Sequence, residues 1–491
     1  MMIDTIFIIN EENCDRILFF EILSCYCALD KRNKKENIIM QEKKYFYKKL
    51  AVLVLPIAVQ NLMTALVSAS DALMLGFVNQ SSLSAVSLAA QVQFVLNLFY
   101  AALTIGATVL AAQYWGKGDI RSVEKVLAIT LKISVLISGI FFLAALAAPA
   151  LLMQIFTSDG GLIWLGARYL RAVSWSYLFM GISQIYLCIM KNSGRALRST
   201  VYGSVAVVLN IALNAVLIFG LIGFPQMGTV GAAVATSISR GVELILVLVE
   251  NRLEDRRGEW AVCIRTEYLR SDDKTLRKDF WRCTMPVMAN EMVWGCGFTM
   301  FSVIMGHLGS DVVAANSIAN IMKNIISCVC LGIGTGSGII VGNELGSGRL
   351  EQAKEYGRML CRTALVAGAA SGLLILAGSP LIMRFASNLT VQAKDYLQVM
   401  LWICSYYMIG KSLNSTVVAG IFCAGGDTKF GFFCDTVVMW AVIIPVGLTA
   451  AFVLRLPVLT VYFLLNLDEL IKLPAVYRHY RKHRWVRDLT R

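Results

Sequence analysis

The 491-residue chain is predicted to be an all-α polytopic membrane protein, with about twelve transmembrane helices in two pseudo-symmetric six-helix bundles. Three observations predict this. Hydrophobic residues make up 57% of the chain and charged residues only 16%, against about 25% charged in soluble domains. Apolar runs of about 20 residues or more, enough to cross a roughly 30 Å hydrocarbon core, recur along almost the whole length. The two halves of the chain also align with each other at a fixed offset.

In order, the expected spans are 51–78, 84–114, 126–153, 162–190, 199–220, 229–249, 280–306, 312–341, 357–385, 394–421, 431–453 and 456–473. The loops between them alternate in charge. Basic residues crowd ahead of the first span (Lys43, Lys44, Lys48, Lys49), between the second and third (Lys117, Arg121, Lys125) and after the fourth (Lys191, Arg195, Arg198). They recur in 250–279, from Arg349 to Arg358, and in the closing "YRHYRKHRWVRDLTR". The loops near 79–83, 157–161, 221–228 and 308–311 contain no Lys or Arg. This positive-inside pattern places both termini in the cytoplasm, and the expected location is a bacterial-type plasma membrane. The net charge of +13 therefore belongs to the membrane surface, and no nucleic-acid partner is expected.

The expected organisation follows. Residues 1–47 form an N-terminal cytoplasmic arm, 48–249 a first lobe, 250–279 a cytoplasmic linker, 280–473 a second lobe and 474–491 a basic cytoplasmic tail. Within the arm, "MMIDTIFIIN" is too short for a span and lacks the basic start of a signal peptide. Met40, followed by "QEKKYFYKKLAVLVLP", reads as a natural start. Residues 1–39 are accordingly expected to be an upstream extension or a disordered arm. Thirteen cysteines are scattered mostly through the spans, and His307, His479 and His483 do not cluster. No metal or cofactor is expected, and no enzyme, since clustered catalytic groups are missing from the spans.

An internal repeat orders the chain. Pro56 and Pro286 are 230 residues apart, and the same shift aligns "LPIAVQN" with "MPVMANE" and "QYWGKGDIRSVEK" with "NELGSGRLEQAKE". Gly116 and Gly118 fall on Gly346 and Gly348. An even number of spans per half makes the halves parallel, an architecture of alternating-access carriers. Pro56 and Pro286 are expected hinges, because proline removes a helical hydrogen bond and crowds the preceding turn.

Charged groups inside spans are costly and mark function by default. Glu291 lies about 13 residues, or roughly 20 Å, in from Lys278, near mid-membrane. Asp71 lies roughly 12 Å below the outer end of the first span. Under the repeat Glu291 aligns with Asn61 and Asp71 with Phe301, so each acid is specific to its half. Asn210 and Asn214, four apart, share a helical face. They either glue helices together or complete a polar site with Asp71. Lys411 and Asn414 form a similar pair, and Lys411 either neutralises Glu291 or competes with a proton or substrate for it. Lys323 and Asn320 are weaker candidates. Arg240 and Glu243 read as a local ion pair, and Asp435, Asp468, Glu469 and Lys472 as groups paired or snorkelling at cytoplasmic ends.

"PIAVQNLMTALVSASDALMLGFV", "NIALNAVLIFG" with "GTVGAAVATSISRGVE", "NEMVWGCGFTMFSVIMGHLG", "AGIFCAGGDTKF" and "FLLNLDELIKLP" together resemble the multidrug and toxic compound extrusion (MATE) family. The resemblance runs from about Met40 to the C-terminus. It implies twelve helices in two lobes and an antiporter that exports amphiphilic, often cationic, compounds against H⁺ or Na⁺. The partners implied are small amphiphilic molecules and membrane lipid, with the protein a monomer. The family's first-helix aspartate falls on Asp71, and its cation site on Asp71 with Asn210. A second acid of that site would fall on Asn214, leaving one carboxylate fewer, which leans toward H⁺. The seventh-helix glutamate matches Glu291. A tenth-helix aspartate would fall near Ser412, where Lys411 is the neighbour, and this departure favours a Glu291–Lys411 pair. The alternatives are a lipid-linked saccharide flippase of the wider superfamily and a non-transporting membrane protein.

Overall fold

A computed structural model describes residues 40–67, 70–71, 74–75, 80–257, 262–270, 273–386 and 389–490. The expectation for residues 1–39 lies outside them. Among the described residues the fold is helical without strands, and ten helices are long and apolar enough to cross a membrane. The first, α1, runs Met40–Val67. It starts ahead of the expected 51 because the lysine-rich turns that precede the apolar run are themselves good helix formers. In its basic opening turns Phe46 meets Tyr47 edge-on at 5.3 Å.

There follow α2 (Gln80–Lys117), α3 (Ile120–Ala147), the short α4 (Pro149–Gln154), α5 (Gly160–Asn192), α6 (Ala196–Phe219) and α7 (Gly228–Arg257). In this half α5 packs on α2, α3 and α7, and α6 on α7. Leu96, Tyr100, Leu170, Val173 and Tyr177 are central to its core. The stretch expected as a linker carries the short α8 (Thr266–Arg270) and is fastened to α3. Glu124 accepts from the Cys263 backbone N–H at 3.0 Å and from Arg265 Nε at 2.9 Å. Asp273 caps the next helix by accepting from Leu276 N at 3.1 Å and meets Lys125 Nζ at 3.1 Å. Those two bonds hold its carboxyl below the usual carboxylate range.

The second half comprises α9 (Lys274–Gly306), α10 (Ser310–Gly346), α11 (Leu350–Phe385) and α12 (Val391–Asn414), which continues through a π-helical stretch, Ser415–Phe422. The next span, Thr428–Val453, begins as α13 (Thr428–Thr436) and widens into π turns on either side of α14 (Ile444–Leu448). The run expected as one span, 456–473, is instead broken into α15 (Val458–Leu465) and α16 (Asp468–Arg481). Asn466 Nδ2 bonds back to the Tyr462 carbonyl at 2.9 Å, a local bond that competes with the helical ladder. Asp468 and Glu469 then open a new helix, where acids suit the positive end of the dipole. Pro56 lies inside α1 and Pro286 inside α9, neither of which is interrupted there.

The two halves meet where α2 packs against α9 and α10. At the C-terminal ends of α2 and α10 the repeated G-x-G acquires a physical meaning. A Cβ on Gly116 would overlap the Asn343 carbonyl, and one on Gly346 the Gln113 carbonyl, so the first glycine of each pair permits backbone contact. The second, Gly118 or Gly348, turns the chain at φ +82 or +75, a left-handed conformation that glycine adopts without penalty.

The tail is ordered against this junction. Buried Gln113 donates from Nε2 to Ala424 O at 2.6 Å and Arg487 O at 3.1 Å, and its Oε1 accepts from Leu489 N at 2.6 Å. Trp485 is fully buried and stacks on Tyr480 at 5.7 Å, while His479 Nε2 meets Asp427 Oδ2 at 2.6 Å.

Candidate functional site

The intramembrane polar residues gather in two places. The first is in the N-terminal half. Asn210 and Asn214 lie one turn apart on α6, and both are buried. Asn214 Nδ2 donates to Asp71 Oδ1 at 2.5 Å and to Asn210 Oδ1 at 3.2 Å, and Asn210 Nδ2 donates to Thr236 Oγ1 of α7 at 3.3 Å. Asp71 thus ends a chain of neutral partners, and among the described residues it has no ion-pair partner. Asn214 Oδ1 is buried without a hydrogen bond. A carboxylate beside an orphaned amide oxygen suits a small cation, H⁺ or Na⁺, since buried acceptors are costly unless satisfied. Thr236 sits in a stretch already quoted for its resemblance, but only packing of α7 on α6 reveals it as a partner.

The second place is a cavity of about 460 Å³ whose lining includes Glu291, Trp294, Lys411, Asn414, Asp435, Glu469 and Lys472. Asn61, the repeat counterpart of Glu291, lines it too, as do Gln184 and Lys191 from α5. Asp71 does not. Here the expected Glu291–Lys411 pair is corrected. Lys411 Nζ lies 3.4 Å from Glu469 Oε1 and 5.5 Å above the Trp294 ring. Asn414 Nδ2 holds the same glutamate, donating to Oε2 and to its backbone carbonyl, both at 2.7 Å. Glu291 has no hydrogen bond or ion pair among the described residues. The chain break before α16 explains this, because it packs Glu469 against the face of α12 that carries Lys411 and Asn414.

The pairing expected among Asp435, Asp468, Glu469 and Lys472 forms, and three of them, Asp435, Glu469 and Lys472, also line the cavity. Lys472 Nζ contacts Asp435 at 2.9 Å, Glu469 at 3.6 Å and Asp468 at 3.8 Å, and its side chain is only 4% exposed. Asn290 Nδ2 completes the cluster by donating to Asp435 Oδ2 at 3.0 Å. Glu469 and Asp468 lie three and four residues before Lys472, a helical spacing the sequence shows, whereas the contacts of Asp435 with Lys472 and Asn290 join α13 to α16 and α9 and no spacing reveals them. The local pair Arg240–Glu243 does form, at 2.6 Å. Lys323 and Asn320 line a neighbouring cavity of about 270 Å³, with Lys323 Nζ 4.7 Å above the Tyr407 ring.

Comparison with known proteins fits this architecture. The MatE family profile matches residues 56–216 and again 286–449, so the two matches begin at the same two prolines that register the internal repeat. The probable multidrug resistance protein NorM of Thermotoga maritima is 25% identical over 419 residues, spanning 84% of this chain and 87% of that one. A solved MATE structure superposes with a TM-score of 0.80 at 18% identity, covering 89% of this chain and 96% of the other. A transporter of the MOP superfamily from Pyrococcus furiosus gives a TM-score of 0.80 at 17% identity, covering 89% and 95%. With both halves matched and the lobes, repeat and membrane helices in place, the chain belongs to the MATE family of multidrug efflux transporters and is a multi-pass carrier of small molecules rather than an enzyme.

Proposed function

We propose that this transporter is an antiporter of a bacterial-type plasma membrane, exporting amphiphilic organic compounds against an inward flow of H⁺, with both termini cytoplasmic and the monomer as the working unit. The observation that carries the reading is Asp71, an intramembrane carboxylate hydrogen-bonded at 2.5 Å to an asparagine and free of any ion-pair partner among the described residues. A carboxylate in that setting alternates between charged and neutral by taking one proton, whereas Na⁺ calls for a larger set of oxygen ligands. Protonation removes the charge to which Asn214 donates, so the hold of α6 on Asp71 weakens as the ion arrives. Pro56 and Pro286 supply points at which α1 and α9 bend in response. In the other half, Glu291 offers a carboxylate to a cationic group of the substrate.

Purified protein in vesicles, under separately imposed proton and sodium gradients, tests this. The proton gradient is expected to drive substrate uphill, and Asp71→Asn to abolish that accumulation while leaving downhill leak. Uphill transport by Asp71→Asn equal to the parent would falsify the coupling assignment. Accumulation driven by sodium alone would replace H⁺ with Na⁺.

A further inference from the structure

The charges lining the cavity around Glu291 balance. Three are carboxylates (Glu291, Asp435, Glu469) and three are lysines (Lys191, Lys411, Lys472). Four of the six neutralise one another, Lys411 with Glu469 at 3.4 Å and Lys472 with Asp435 at 2.9 Å. The side chains of the remaining two, Glu291 and Lys191, have no hydrogen bond or ion pair among the described residues. They stand on different lobes, Glu291 on α9 and Lys191 in the last turn of α5. The acid on α7 next to this wall, Glu243, is already taken by Arg240 at 2.6 Å, Ser183 at 2.7 Å and Gln184 at 3.2 Å.

Two opposite charges in one cavity each bear a desolvation cost that no direct ion pair or hydrogen bond offsets. Both line one cavity, yet no ion pair joins them among the described residues. We infer that Lys191 is the anchor for an anionic group of the substrate, and that the cavity takes zwitterionic amphiphiles, with the anionic end on Lys191 and the cationic end on Glu291. Such a molecule bridges the two lobes and satisfies both charges at once. A purely cationic compound satisfies one and leaves Lys191 facing it with like charge. The N-lobe wall around Lys191 is polar enough for an anion, since Thr108 accepts from Asn192 Nδ2 at 3.1 Å and both line the cavity. The cavity volume, about 460 Å³, lies within the range of roughly 300–1,000 Å³ usual for small-molecule sites.

This inference rests on the export reading but is tested by binding alone. Rhodamine 110 is a fluorescent zwitterion, and rhodamine 123 is its methyl ester, which keeps the cation and lacks the carboxylate. Fluorescence anisotropy with the purified full-length protein is expected to show tighter binding of rhodamine 110. The ratio of the two affinities is expected to fall about ten-fold or more in Lys191→Met, as for loss of one charged contact, and to persist in Lys191→Arg. Glu291→Gln is expected to weaken both dyes together. A folding defect common to both dyes does not move the ratio. Equal affinity of the parent for the two dyes, or an unchanged ratio in Lys191→Met, overturns the inference. A zwitterionic lipid headgroup carries the same two charges. Displacement of rhodamine 110 by a short-chain phosphatidylethanolamine, but not by phosphatidylglycerol, assigns the pair of anchors to lipid, and its absence assigns them to a soluble compound. If the ratio behaves as expected while vesicles show no gradient-driven movement, the binding assignment stands and the export reading alone fails.

Discussion

Two charged residues of one cavity are expected to respond in opposite ways to neutralisation. Lys472 is buried among Asp435, Glu469 and Asp468 at 2.9, 3.6 and 3.8 Å. Lys472→Met strips a shared cation from three carboxylates and leaves Lys411, on Glu469 at 3.4 Å, as the remaining ion-paired lysine of the cluster. Breaking a buried pair by removing one partner costs about 3–5 kcal/mol. Glu291 has no partner to lose. Glu291→Gln keeps the shape and removes a buried charge that no hydrogen bond or ion pair holds among the described residues, so stability is expected to stay within about 0.5 kcal/mol of the parent or to rise. Thermal unfolding of both purified variants in one detergent measures the contrast, with uptake into vesicles as the second readout. Lys472→Met is expected to unfold at markedly lower temperature, and adding Asp435→Asn to restore part of the loss. Glu291→Gln is expected to unfold like the parent and to lose transport. If Glu291→Gln destabilises as much as Lys472→Met, Glu291 is a structural group and its part in substrate binding is wrong.

Two further outcomes follow from packing. In Gly346→Ala the new methyl meets the Gln113 backbone carbonyl, which cannot give way as a flexible side chain could, and a loss of about 1–3 kcal/mol is expected in thermal unfolding. Gly139→Ala, with open space around it, serves as the tolerated control, and equal stability of the two variants refutes the close α2–α10 contact. Trp485→Ala empties a fully buried aromatic site at a cost of about 3–5 kcal/mol. The tail is then expected to release and trypsin to cut at Arg484 and Arg487 far sooner than in the parent. Unchanged protection means the tail is held by something other than this side chain.

Much of the fold was legible because a membrane imposes its own period on a sequence. Spans, loop charge and the repeat follow from the need to satisfy backbone bonds internally and to keep Lys and Arg on one side. The register of Pro56 on Pro286 could be read from the letters, and so could the shared face of Asn210 and Asn214. The break at Asn466 was not, because a single asparagine in an apolar run is equally compatible with a continuous helix. That break decides between the alternatives open for Lys411, whose ion pair goes to Glu469 at 3.4 Å and not to Glu291.

By itself the sequence determined that this chain crosses the membrane repeatedly in two related halves, and that Asp71, Glu291 and Lys411 lie within its spans, since hydropathy and spacing are properties of single segments. Only the tertiary structure decided which of those charges are neutralised and which are not. Pairing depends on the approach of separate helices, α12 and α13 to α16, and at a separation of a few ångströms it is packing geometry that selects the partner.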